Sequence, residues 1–200
     1  NIFDERMFQL VVEEQESGRG KKTPASKADT IAHATRKVAI EKMDEDPAFY
    51  QKFSRLIQQV IEAFKAKRIS DLDYLKKVVE IRNKVVGRVH YDIPEQLLGQ
   101  ENAVAYYGVI TGFFHAYDLS EKDVEEMASD TALALHKIIE RHQKVDFWDD
   151  EDAQKQVINE VDDYLYDEIK TKRGVELSLS DMDGIIEKVL SVARHRSYHA

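Results

Sequence analysis

The sequence contains no cysteine. Disulfides, thiolate nucleophiles and Cys-ligated zinc or iron–sulfur centres are therefore excluded. Glycine and proline are scarce, at 8 and 3 residues in 200, against ordinary frequencies of about 7% and 5%. So few backbone breakers argue against sandwiches, barrels and loop-rich folds, and against disorder. No apolar run approaches the roughly 18 residues of a membrane-spanning helix, so no membrane partner is expected. The opening residues also lack the charged-then-apolar pattern of a signal peptide. There is no initiator Met; the chain begins Asn1-Ile2-Phe3 and reads as a piece of something larger.

What is present is charge and helix-forming residues. Apolar residues make up 42% of the chain and charged ones 34%, a globular balance shifted towards charge. A charge-rich, breaker-poor chain of this length predicts an all-α fold with a sizeable core. The net charge is −9 and is unevenly placed. Residues 1–100 hold 18 Lys and Arg against 16 Asp and Glu, whereas residues 101–200 hold 11 against 22. Between Arg19 and Lys42 the bases Arg19, Lys21, Lys22, Lys27, Arg36, Lys37 and Lys42 face only Asp29 and Glu41. A basic stripe of this kind suits phosphate or an acidic partner, while an acidic second half repels nucleic acid.

Hydrophobic periodicity predicts an irregular bundle of about seven helices and no sheet. Phe3 to Glu16 reads as a short amphipathic helix, followed by a basic break from Ser17 to Pro24. Helices are expected from about Pro24 to Met43, from Pro47 to about Arg68 and from about Asp71. Gly87 to Gly99 reads as an irregular connection. Ala103, Tyr107, Ile110, Phe114 and Tyr117 then mark a helix with little charge on any face, expected to be the buried central one. Further helices are expected from Ser120, from about Asp149 to Lys172 and from Ser180. The expected organisation is 1–22 as N-terminal helix and basic linker, 23–117 as a first lobe, and 118–200 as a second, acidic lobe. Four serines share one spacing: Ser26-x-x-Asp29, Ser70-x-x-Asp73, Ser120-x-x-Asp123 and Ser180-x-x-Asp183. Each resembles a capping box with Asp in place of Glu, so these serines are expected to be helix caps rather than nucleophiles.

A search for chemistry yields little. Gly20-Lys21-Lys22-Thr23 fails as a phosphate loop: position 15 is Gln, Lys22 replaces the hydroxyl residue, and no strand precedes it. None of the seven histidines follows a Glu-x-x pattern, is followed by Asp, or sits in an H-E-x-x-H helix. His195-x-x-x-His199 lacks a third metal ligand. His33 and His115 lie near apolar stripes and are expected to be packing residues. Glu168-Ile169-Lys170 matches part of a Mg²⁺ nuclease motif, but in a helical context where Ile169 completes an apolar stripe. The cluster Asp149–Asp152 is best read as acids placed at a helix start. The aromatic run Tyr106, Tyr107, Phe113, Phe114 and Tyr117 has no interleaved cations and reads as core rather than as a base-stacking platform. No catalytic, cofactor-binding or metal-ligating residue is assigned. The candidate contacts to a partner or to DNA backbone are Lys21, Lys22, Arg36 and Lys37, the densest positive patch; Lys65, Lys67 and Arg68 are scattered further cations of the same kind.

Several long strings resemble a known family. The run from Thr23 to Val38, the run Glu41-Lys-Met-Asp-Glu-Asp-Pro-Ala-Phe-Tyr50, Ala66-Lys-Arg-Ile-Ser70 with Tyr74-Leu75, Glu101-Asn-Ala-Val-Ala-Tyr-Tyr-Gly-Val109, and Val145-Asp-Phe-Trp148 with the acidic helix after it are similar to the C-terminal helical region of type I restriction enzyme R subunits. The resemblance covers about Thr23 to Arg196. It implies a parent chain that is an ATP-dependent endonuclease and DNA translocase using ATP and Mg²⁺, with nuclease and motor domains ahead of this region. It implies no enzyme activity or cofactor for the region itself. Its expected role is docking the motor subunit onto the methyltransferase and specificity subunits, near DNA, in the cytoplasm. A stand-alone helical nucleotide- or metal-binding enzyme with Asp149–Asp152 or His195/His199 as ligands, and a generic helical adaptor, are the alternatives.

Overall fold

Thr23 precedes Pro24, and that pair sets the first helix. The Thr23 hydroxyl accepts the Ser26 N–H at 3.2 Å, while proline occupies a position where no N–H is needed. The computed structural model describes residues 23–88 and 93–197. Among them are seven α-helices and no strand: α1 (Pro24–Glu41), α2 (Pro47–Lys65), α3 (Asp71–Val86), α4 (Glu101–Phe114), α5 (Glu121–His142), α6 (Glu151–Tyr164) and α7 (Leu179–Ser197). Short 3₁₀ turns at Glu95–Leu97 and Phe147–Asp149 join elements, and α6 runs on as a π-helix over Leu165–Lys172. The expected all-α architecture of about seven helices is the observed one. The helix expected over Phe3–Glu16, the basic break, and His199 lie outside the described residues.

The described residues fall into two compact units. Unit 1 comprises 23–43 and 49–88, and unit 2 comprises 44–48 and 93–197. This differs from the expected lobes of 23–117 and 118–200. The reason is α4, which buries Ala103, Val104, Ala105 and Tyr106 in unbroken succession. A helix buried all round must be surrounded, and α4 packs against α5 and α7 in unit 2. The Asp118–Ser120 punctuation separates two helices, not two units.

Unit 1 has its own core. α1 turns Ala28, Ile31, Ala32, Thr35 and Ala39 inward, and these small residues let it lie close along α3. Buried Thr35 is satisfied by donating to the Ile31 carbonyl at 2.7 Å. α2 contributes Phe49, Tyr50, Phe53, Ile57 and Ile61, with the Phe49 ring centroid 4.6 Å from that of Phe53. Phe64 at the end of α2 stacks on Tyr74 of α3 at 4.3 Å. The fully buried Tyr74 sends its hydroxyl to Asp29 on α1 at 2.8 Å, so one side chain ties all three helices. Lys67, with φ of 55°, takes the left-handed conformation that lets the chain reverse into α3.

In unit 2, Gly108 of α4 allows a close approach, since a Cβ there would stand 2.5 Å from that of Ala48. Ser120 caps α5 and Asp150 caps α6. Of the four expected capping boxes, Ser70/Asp73 and Ser120/Asp123 are formed. The other two are corrected. Thr23 caps α1 in place of Ser26, whose carbonyl instead accepts from Thr30. Ser178 caps α7 in place of Ser180, accepting the Asp181 N–H at 3.1 Å. At the far end of the π-helix, Arg173 reaches back to Glu126 and Asp130 of α5 at 2.9 and 2.7 Å.

Candidate functional site

Two of the four named candidates can be placed. Arg36 and Lys37 stand side by side on the solvent face of α1, opposite the Ile31–Thr35–Ala39 seam. Arg36 donates to Gln58 of α2 at 3.2 Å, which steers its guanidinium along the surface of unit 1. Lys37 pairs with Glu41 one turn on at 3.7 Å; both are exposed, so the pair holds Lys37 only weakly. Lys21 and Lys22 lie outside the described residues. The basic stripe is less continuous than its sequence, because Lys27 is turned inward and 3% exposed.

The division into units sharpens the charge asymmetry. Described unit 1 carries 14 Lys and Arg against 6 Asp and Glu, a net of +8; described unit 2 carries 11 against 26, a net of −15. Sequence halves blur this. The first half includes the acids Asp44, Glu45 and Asp46, which belong to unit 2, and the five acids of residues 1–22. Sorted by fold, the basic surface extends beyond α1. Lys65, Lys67 and Arg68 at the α2–α3 turn and Lys76 and Lys77 on α3 are all exposed. Sequence reading noted the first three as scattered and missed the other two. The signal was the i, i+1 lysine pair on the polar side of the Tyr74–Val78–Ile81–Val85 stripe.

The residues weighed for chemistry are structural where they can be seen. Asp150 accepts the N–H groups of Asp152 and Ala153, both at 3.0 Å, so the Asp149–Asp152 cluster starts α6. No group of three or more metal-ligating side chains exists among the described residues. Ile169 is buried, Glu168 pairs with Lys172, and Lys170 donates to the Leu177 carbonyl. Tyr106 and Phe114 are core, with Tyr107, Phe113 and Tyr117 packed against it. His33 and His115 correct the expectation of packing histidines: both are exposed, and His115 lies 3.8 Å from Glu121. His195 Nδ1 donates locally to the Ser191 carbonyl, 2.8 Å away.

Several side chains have their ionisation shifted by their neighbours. Hydrogen bonds from Arg141 and His142 keep the Glu160 carboxyl below its usual range, which ties α6 to the end of α5. Tyr117 and Ser178 do the same for Asp181 at the start of α7. Burial pushes the Tyr74, Tyr106 and Tyr164 phenols up. These groups hold helices together.

The fold and surface thus define an all-α protein of two oppositely charged units. No family model matches the sequence, and no curated protein or solved structure matches it. No helix among the described residues is long and apolar enough to cross a membrane.

Proposed function

We propose that this chain is an assembly region of a type I restriction R subunit, connecting an ATP-dependent DNA motor and endonuclease to its methyltransferase and specificity subunits. The observation that carries the reading is the set of strings similar to that family. They fall on structural landmarks of both units rather than in one segment. Thr23–Val38 is the cap and body of α1. Glu41–Tyr50 spans the crossing between units and includes buried Glu45 and Asp46. Glu101–Val109 contains the unbroken buried stretch Ala103–Tyr106 of α4, and Val145–Trp148 runs into the 3₁₀ turn before α6. In this role the chain itself performs no catalysis; ATP and Mg²⁺ serve the parent's motor and nuclease domains. The setting is cytoplasmic, where such systems meet DNA.

Arg36 and Lys37, with Lys21 and Lys22, are the proposed contacts to the partner or to DNA backbone. The test is a Lys21→Glu, Lys22→Glu, Arg36→Glu, Lys37→Glu variant of the full R subunit, assayed for co-purification with the methyltransferase–specificity core and for translocation and cleavage. Weakened assembly or DNA retention with unchanged helix content is expected. A variant that assembles, translocates and cleaves as the parent does refutes the proposal.

A further inference from the structure

The charge sorting by unit points to a second basic surface. At one end of unit 1, Lys65, Lys67 and Arg68 leave α2, and Lys76 and Lys77 follow within the first two turns of α3. The Phe64–Tyr74 ring stack pins the end of α2 to the start of α3 and so brings these cations to one end of the unit. All five are exposed, and none is in an ion pair among the described residues. Glu80, which pairs with Lys84, also attracts Lys77, and the other acids there are Asp71 and Asp73, the latter attracting Lys76 and Lys77. Asp73 is occupied by Ser70, whose hydroxyl donates to it at 2.6 Å, and both stand at the helix N-terminus, where the backbone amides partly offset their charge. Asp71 to Lys77 rises about 9 Å along the helix axis. A nucleic-acid duplex carries roughly five phosphate charges over that length.

We infer that the α2–α3 end of unit 1 is a binding surface for the phosphate backbone of a double-stranded nucleic acid. Three observations favour a duplex over other anions. Four of the five cations are lysines, flexible point charges suited to a repeating line of phosphates rather than to bidentate carboxylate recognition. Among the described residues the Phe and Tyr rings of unit 1 are in its core: Phe49, Tyr50, Phe53 and Tyr74 are buried, and Phe64 lies against Tyr74. A single strand would use exposed rings for stacking, and a duplex backbone needs none. Among the described residues the only large apolar side chain exposed beside the patch is Leu72, too little for the apolar centre of a protein interface. Binding there reads no sequence. The inference concerns other residues than Lys21, Lys22, Arg36 and Lys37, and it is read on this chain by duplex affinity, whereas those contacts are read in the full R subunit.

The test is fluorescence anisotropy of the full 200-residue chain with a 20-base-pair DNA duplex and its RNA equivalent, titrated at several salt concentrations. A patch variant, Lys65→Gln, Lys67→Asn, Arg68→Gln, Lys76→Gln and Lys77→Gln, keeps side chains the helices accept and uses Asn at the left-handed position. A second variant of equal net charge, Lys122→Gln, Lys137→Gln, Lys144→Gln, Lys155→Gln and Arg194→Gln, removes exposed cations of unit 2 instead. Circular dichroism checks that both keep their helix content. Micromolar-range duplex binding is expected for the parent chain. The patch variant is expected to bind at least about tenfold more weakly and to lose about 4 units of salt slope. The unit 2 variant is expected to bind as the parent does. Duplex binding that the patch variant retains, or that both variants lose equally, overturns the inference. So does tighter binding to single-stranded DNA, to polyglutamate or to vesicles containing phosphatidylserine than to either duplex.

Discussion

Gly108 and Gly112 lie one turn apart on α4, and replacing each with alanine should change stability in opposite directions. Both changes gain the ordinary helix advantage of alanine over glycine, about 0.5–1 kcal/mol. At Gly112 the new methyl meets nothing within 4 Å, so that gain should appear nearly whole. At Gly108 it would stand 2.5 Å from the Ala48 Cβ, with the Ala48 Cα at 3.9 Å. Real carbon atoms approach no closer than about 3.5 Å, so α4 or the Asp44–Ala48 segment must move by about 1 Å. α4 is boxed in by α5 and α7, which makes movement costly. Overpacking of a filled core costs about 1–3 kcal/mol. Taking the middle of each range, Gly108→Ala should be less stable than the parent by about 1 kcal/mol, and, since the propensity gain cancels, less stable than Gly112→Ala by the overpacking cost of about 2 kcal/mol. The assay is urea unfolding followed by the single tryptophan, Trp148, which lies in unit 2 with both glycines and so reports the unit being perturbed. Adding Ala48→Gly to Gly108→Ala should restore most of the loss. Equal shifts for the two alanine variants, or a Gly108→Ala protein as stable as the parent, would refute the argument that close approach requires glycine there.

Three further outcomes follow from the hydrogen bonds and buried phenols. Tyr74→Phe keeps the ring stack on Phe64 but removes the bond to Asp29; because Asp29 is exposed and returns to water, the loss should be about 1.5 kcal/mol, at the low end for a bond to a charged group, and thermal unfolding reads it. Ser178→Ala should cost about 1 kcal/mol as a lost cap, whereas Ser180→Ala should be close to neutral; equal effects in chemical denaturation would return the cap to Ser180. For alkaline pH the sign is set by raised phenol values: Tyr74, Tyr106 and Tyr164 stay protonated in the folded chain while the unfolded chain ionises near pH 10. Their contribution is present below pH 10 and is lost as pH rises beyond it. An ultraviolet titration should therefore show these three phenols ionising only with loss of helix; nine tyrosines titrating together with the helices intact would contradict the burial.

The helices were legible because apolar spacing is a local signal, and the inward residues of α2, α3 and α5 follow it closely. Ser70 and Ser120 were legible as caps because each stands just before the first residue with helical geometry. Ser26 and Ser180 have the same three-residue spacing to an Asp, yet Thr23-Pro24 and Ser178-Leu179 come earlier and take the role. Spacing alone does not say which hydroxyl is first. His33 and His115 show the limit of a stripe: one residue turns about 100° on a helix, enough to move a side chain from seam to solvent. The unit boundary was hidden for a different reason. Punctuation marks where a helix ends, whereas membership of a unit depends on what surrounds α4, which is decided by residues far along the chain. The candidate surface followed the same rule. Arg36 and Lys37 were visible as a local run, but the charge of unit 1 emerged only when Asp44, Glu45 and Asp46 were assigned to the other core.

Those three acids belong to a short loan of sequence: unit 2 takes 44–48 from between α1 and the body of α2. Ala48 fills the notch at Gly108, and the Glu45 carbonyl meets the guanidinium of Arg196, which also grips Asn102 at 2.6 Å. Neither unit can therefore be excised as one continuous stretch. A protein trimmed to begin after residue 91 would open the Gly108 notch to water and strip Arg196 of one acceptor, while one ending at residue 88 would carry a buried acidic segment with no core to receive it. Any fusion or proteolytic dissection that parts the chain between α3 and α4 separates 44–48 from the core it belongs to.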